Sequence, residues 1–153
     1  MPLAPPPRDG KGNVTPHDAP DIQPDDGIIR RVSNNQLITD AKGRRRLSSI
    51  AFQASSSGEH PGLSIDLERQ IVEDGLDARK FVTTPRWIGS VRLVAKEVRA
   101  LGFQIGSDPI IGHPSLPDNP YHGEVWGIKS KSDQKALQDL SQWFVAIPNA
   151  FTV

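Results

Sequence analysis

His122 and Glu124 stand two residues apart in the stretch from Tyr121 to Ile128, whose aromatic and β-branched residues favour a strand. Side chains on a strand alternate, so His122, Glu124, Trp126 and Ile128 share one face while Tyr121, Gly123, Val125 and Gly127 share the other. Strand rise separates His122 from Glu124 by about 6.5–7 Å. That spacing lets both act on one ligand, as a base and its orienter or as two ligands of a metal. The plainer alternative has His122 bonded to a carbonyl of the Asp118-Asn119-Pro120 turn and Glu124 facing solvent. Gly123 and Gly127 leave the opposite face bare at two positions, for a closely packed helix or for a ligand.

Donors suited to an anion lie elsewhere in the chain. Arg31, beside Arg30, the Ser48–Ser49 pair and Lys129, close to Lys131, could bind phosphate or carboxylate. If the first and last strands pair, Arg31, Ser48, Ser49 and Lys129 meet His122 and Glu124 in one cleft with an anionic, nucleotide-like ligand; otherwise they are scattered surface groups. Arg30, Arg31, Lys42, Arg44, Arg45 and Arg46 face only Asp40 as a local counter-charge. The cluster at 42–46 could release counterions from a nucleic-acid backbone, but the interleaved aromatics of a single-strand platform are missing.

Composition removes other chemistries. There is no cysteine, so disulfides, thiolate nucleophiles and cysteine zinc sites are excluded, and the histidine–glutamate pair has no deaminase-type cysteine partner. His17, His60, His113 and His122 are too far apart in sequence for a local two-histidine metal motif, and no metal ligand set is assigned. Phosphate-binding glycine loops, a nucleophile elbow and the zinc-protease helix motif are all absent, leaving the cofactor unspecified. Net charge is zero, yet unevenly spread: residues 1–26 hold five aspartates against Arg8 and Lys11.

The elements that must position these groups follow from periodicity. Residues 1–26 contain seven of the 14 prolines and little that is apolar beyond Leu3, Val14 and Ile22, so they are expected to stay disordered. A single α+β domain is expected over residues 27–148. Its strands are expected at 28–32, 63–65, 103–105 and 121–128, with a further candidate at 47–52. Helices are expected near 66–74, ending at Gly75, and from Ser132 to about Phe144 with Ala136, Leu137, Leu140, Trp143 and Phe144 on one stripe. Residues 90–101 fit one long helix or a strand feeding a shorter one, closed by Gly102. The loop at 107–120, with four prolines, is long enough to suggest a role. Irregular alternation of helix and strand argues for a small mixed or antiparallel sheet with two or three helices against one face.

The layout Arg-Arg-Val-Ser, Ser-Ser-Ile-Ala-Phe, Leu-Ser-Ile and Asn-Pro-Tyr-His-Gly-Glu-Val-Trp-Gly-Ile-Lys-Ser resembles a group of small uncharacterised bacterial proteins over residues 28–145. The resemblance implies a site at Arg31, Ser48, His122 and Glu124 and carries no activity. Two functional classes stay open: an enzyme or binder for an anionic small molecule, and a non-catalytic module that meets a protein partner through residues 1–26 or 107–120. Nucleic-acid binding through 42–46 is a third. With neither a secretory leader nor an 18-residue apolar run, no membrane partner and a cytoplasmic location are expected.

Overall fold

A computed structural model describes residues 3–55, 58–83 and 87–147. Six strands form one antiparallel sheet in the order β6-β7-β4-β1-β5-β8. They are β1 (Gly27–Val32), β4 (Leu63–Leu67), β5 (Gly89–Val94), β6 (Gln104–Ser107), β7 (His122–Trp126) and β8 (Gln142–Val145). A separate hairpin joins β2 (Leu37–Thr39) to β3 (Arg45–Leu47). Four short α-helices lie among the described residues: α1 (Glu68–Glu73), α2 (Ala78–Thr83), α3 (Ala95–Ala100) and α4 (Lys131–Leu140). The α+β expectation holds, and the sheet is antiparallel throughout its described pairings.

The two faces of the sheet differ because each strand alternates. Ile28, Val32, Leu63, Ile65, Leu67, Val91, Leu93, Ile105 and Val125 project into the larger core, with Leu47, Phe52, Val98 and Leu137 closing it. Helices α3 and α4 and the 3₁₀ turn at Ser49–Phe52 contribute to this side. On the opposite face, Ile29 packs with Ile71, Ala78, Val82 and Tyr121 beneath α1 and α2. Helices therefore lie on both faces, correcting the one-sided expectation. Gly123 is explained by packing: a Cβ there would sit 2.6 Å from the Gly106 carbonyl and 2.9 Å from Ile65 Cδ1.

Several local expectations change. Residues 90–101 resolve into the strand-then-helix alternative, β5 followed by α3. The candidate strand at 47–52 is instead the end of β3 and a 3₁₀ turn, whose Ser48 hydroxyl accepts the Ile50 N–H. Asp66 belongs to β4, so α1 begins only at Glu68. The last helix is capped by Ser130, not Ser132: Ser130 Oγ accepts the Asp133 N–H while the Asp133 carboxylate takes the Ser130 N–H. It ends at Leu140, and Trp143 and Phe144 pass to β8, where strand pairing with β5 outcompetes helix continuation.

The N-terminal segment differs most from its composition. Residues 3–26 lie against the domain, with Val14, Ala19 and Ile22 at 7%, 8% and 1% exposure. Asp18 Oδ1 accepts the Ile105 N–H at 3.0 Å, and the Ala19 N–H donates to the Ile105 carbonyl at 2.8 Å. These bonds cover the outer edge of β6, which an open sheet would leave unpaired. Arg99 donates to the carbonyls of Ala19 and Ile22, both at 2.8 Å, and Arg69 to that of Asp21 at 2.6 Å. Sparse apolar residues thus suffice because basic side chains from α1 and α3 satisfy the segment's backbone.

Candidate functional site

The half of the second face built from β4, β7 and β6 is polar. Antiparallel register sets His122 opposite Asp66, and Glu124 between Ser64 and Gly106. Since opposed residues share a face, Asp66, His122 and Glu124 project together. Asp108 follows β6 in the same alternation as Gln104 and Gly106. The His122 ring Nδ1 lies 2.7 Å from the Asp108 carbonyl and 4.0 Å from its Oδ2. An N–H at Nδ1 donating to that carbonyl leaves Nε2 as the acceptor.

Glu124 and Asp108 carry the main electrostatic feature. Burial pushes the Glu124 carboxyl up to about 8, reinforced by its hydrogen bond to Asp108 and by repulsion from that carboxylate. At neutral pH Glu124 therefore keeps its proton and can donate it. Water still reaches the group: the side chains of His122 and Asp108 are 12% and 28% exposed. The arrangement holds a proton donor, a neighbouring carboxylate and an oriented imidazole within one patch, the set needed to move protons on a bound ligand.

Asp66 forms the inner wall. It accepts Arg31 Nε at 2.8 Å, Arg31 Nη2 at 3.2 Å and Asn119 Nδ2 at 2.9 Å. This forked pair fixes Arg31 against the sheet, with its guanidinium 5.4 Å from the Phe81 ring centre. The outer wall comes from the N-terminal segment and the 58–62 loop. His17 stacks 5.1 Å from Trp126 and fills the space a side chain at Gly106 would need, its Nε2 2.4 Å from the ideal Cβ position. Trp126 Nε1 donates to the His60 carbonyl at 3.3 Å.

Arg31, His122 and Glu124 are thus brought together, Arg31 through its bonds to Asp66. Ser48, Ser49 and Lys129 are not. Ser48 and Ser49 begin the 3₁₀ turn against the larger core, on the other side of the sheet, because β3 pairs with β2 and never joins the main sheet. Lys129 is exposed past the end of β7, its N–H bound to Asp133 Oδ2 at the start of α4. The single-cleft expectation for all six residues is corrected accordingly.

Asp108, Asp66, Asn119 and His17 escaped the sequence reading. Asp108 had a signal, since two steps along an extended Gly106 put it on the Glu124 face. Asp66 had one also: a lone acid between Ile65 and Leu67. Among the described residues, one set could hold a metal ion: Asp9, Glu59 and His60, with ligand atoms within 4.8 Å of one another. Those atoms already bond to each other and to their neighbours, His60 Nε2 to Asp9 at 3.0 Å and Lys11 to Glu59 at 2.6 Å. The His60 bond, with two backbone N–H groups, holds Asp9 below the usual carboxylate range. They pin the N-terminal segment to the 58–62 loop, across a sequence gap that no spacing motif reveals.

Comparison with known proteins finds no matching family model, no matching curated protein and no matching solved structure. No helix among the described residues is long and apolar enough to cross a membrane.

Proposed function

We propose that the domain is a small acid–base enzyme acting at Asp108, His122 and Glu124. The carrying observation is the carboxyl pair formed by Glu124 on β7 and Asp108 just past the end of β6, in which Glu124, raised to about 8, holds a proton beside Asp108. Glu124 is the proton donor, Asp108 the base, and His122, fixed by the Asp108 carbonyl, the second acceptor through Nε2. Arg31, Asp66 and Asn119 keep the floor rigid. With Arg31 bound to Asp66, the described residues of the patch offer no unengaged cation and two acids besides Glu124. It favours a neutral or cationic polar substrate over the anionic, nucleotide-like one that the sequence suggests.

The test is turnover of neutral chromogenic esters, amides and glycosides by the full chain, repeated with Glu124→Gln and Asp108→Asn. Each variant should lose about 10²–10⁴-fold, the usual worth of a positioned acid or base. Turnover that survives both substitutions would place the chemistry elsewhere.

A second reading, an interaction module, rests on the 107–120 loop. Ile111 and Leu116 stand 62% and 49% exposed near its tip, held by the Ile110–Asn119 bridge and the Asp118 bond to the Gly112 N–H. Nucleic-acid binding draws support from Lys42, Arg44 and Arg46, exposed along the β2–β3 hairpin, with Arg44 paired to Asp40. It requires strongly salt-dependent retention on a polyanion, and no retention at low salt removes it.

A further inference from the structure

On the face of the sheet opposite the acid–base patch, a cleft of about 360 Å³ opens between the 3₁₀ turns at 34–36 and 49–52 and the following chain to Ser55. Arg30 forms part of its lining, with Asn35, Gln36 and Gln53. The Arg30 guanidinium is mostly buried, and it spends Nε on the Ala51 carbonyl at 2.8 Å and Nη1 on the Ser64 carbonyl at 3.0 Å. Among the described residues no carboxylate pairs with it. Asp66, across the sheet, exerts a charge interaction on it, but Asp66 is bound to Arg31. Burial pushes Arg30 down to about 10 in spite of the opposing charge of Asp66, an unfavourable state for a guanidinium with no carboxylate bonded to it.

The neighbouring amides are set as donors. Asn35 Oδ1 accepts the Ser33 hydroxyl at 2.5 Å, and Gln36 Oε1 accepts the Ser33 N–H at 3.0 Å. With each oxygen turned to Ser33, the NH₂ group of each side chain is left as a donor. The basic hairpin rises from the same place, Arg45 donating to Asn34 Oδ1 at 3.3 Å. A buried cation, two donor amides and a positive rim require the complement of an acceptor-rich, negatively charged group.

We propose that this cleft binds the oxyanion of a small polar molecule, a phosphate monoester or a carboxylate, with Arg30 neutralising its charge and the amides of Asn35 and Gln36 taking its oxygens. Occupation would supply the counter-ion that the fold leaves out. The site is separate from the Asp108–Glu124 patch and does not depend on it.

The probes are inorganic phosphate and acetate, titrated into the full chain at fixed ionic strength and followed by amide chemical shifts and thermal melting. Saturable shifts at Asn35, Gln36 and Gln53, with a melting temperature that climbs with phosphate, are expected. Acetate acting as strongly as phosphate would identify a carboxylate ligand, and a weaker effect a phosphoryl one. Arg30→Gln should abolish saturation. Because that change also touches the Ala51 and Ser64 carbonyls, Asn35→Leu and Gln36→Leu, which leave them bonded, should each weaken binding severalfold. Shifts that never saturate, that map to Lys42–Arg46 in place of the cleft, or that persist in Arg30→Gln would overturn the proposal, the second outcome pointing to a polyanion on the hairpin.

Discussion

Replacing Ile22 with alanine separates a structural N-terminal segment from a dispensable one. Ile22 is 1% exposed and belongs to the larger core although it lies in the proline-rich stretch. Emptying a buried isoleucine site costs about 2–5 kcal/mol, from lost transfer energy and the cavity left behind. The upper end applies only if the site stays rigid. Arg99 grips the Ala19 and Ile22 carbonyls from α3, so collapse around the cavity is restrained, and we expect about 3 kcal/mol. For a chain of this size that loss lowers the melting temperature by about 6–12 °C. Urea unfolding followed by tryptophan fluorescence measures the free energy. Ile22→Ala combined with Arg99→Ala should be non-additive, since both changes release the same segment. A loss under about 0.5 kcal/mol, the range of an ordinary surface substitution, would refute the packing of residues 3–26.

Three further outcomes follow from the site. Asp66→Asn removes the charge partner of Arg31, whose side chain is 18% exposed against 4% for Asp66, and should cost about 3 kcal/mol by denaturant unfolding; an effect near zero would mean the pair is solvated. Gly106→Ala places a methyl 2.4 Å from His17 Nε2 and 2.8 Å from Trp126 Cζ3, so His17 should leave the Trp126 ring, seen as loss of its ring-current shift, unless the His17 contact is not present in solution. Glu124, raised from 4.5 to about 8, makes the folded state hold a proton that the unfolded chain releases, so its contribution to stability is fully present below pH 4.5 and is lost as the pH rises to about 8. The full shift corresponds to ~5 kcal/mol, and partial solvation of the carboxyl reduces the expected decline to ~2 kcal/mol. Glu124→Gln should flatten that slope, and an unchanged slope would assign it to other groups.

The sequence was most legible where one period dominated. Strand β1 follows from a β-branched run bounded by turn residues, β7 from alternation and the body of α4 from an apolar stripe, and alternation alone paired His122 with Glu124. It failed where tertiary partners decide. Gln142–Val145 continues the α4 stripe on paper, but pairing with β5 draws it into the sheet. Residues 3–26 look incapable of folding by composition, because the donors that satisfy their carbonyls, Arg69 and Arg99, lie more than 40 residues away. The site was half visible for the same reason. Register across β4, β7 and β6 brings Asp66 and Asp108 to His122 and Glu124, and no spacing within one strand encodes that register. Arg30 and Arg31 look alike in sequence, yet opposite faces give one a carboxylate and the other only carbonyls.

The acid–base reading stands on the proton held by Glu124, and a carbon-13 NMR titration of that carboxyl in the full chain measures it directly. The account predicts a midpoint near 8 in the native protein. In Asp108→Asn it should fall, with burial alone still keeping it above the ordinary 4.5. A native midpoint near 4.5, unmoved by Asp108→Asn, would contradict the shared proton and with it the proposed chemistry.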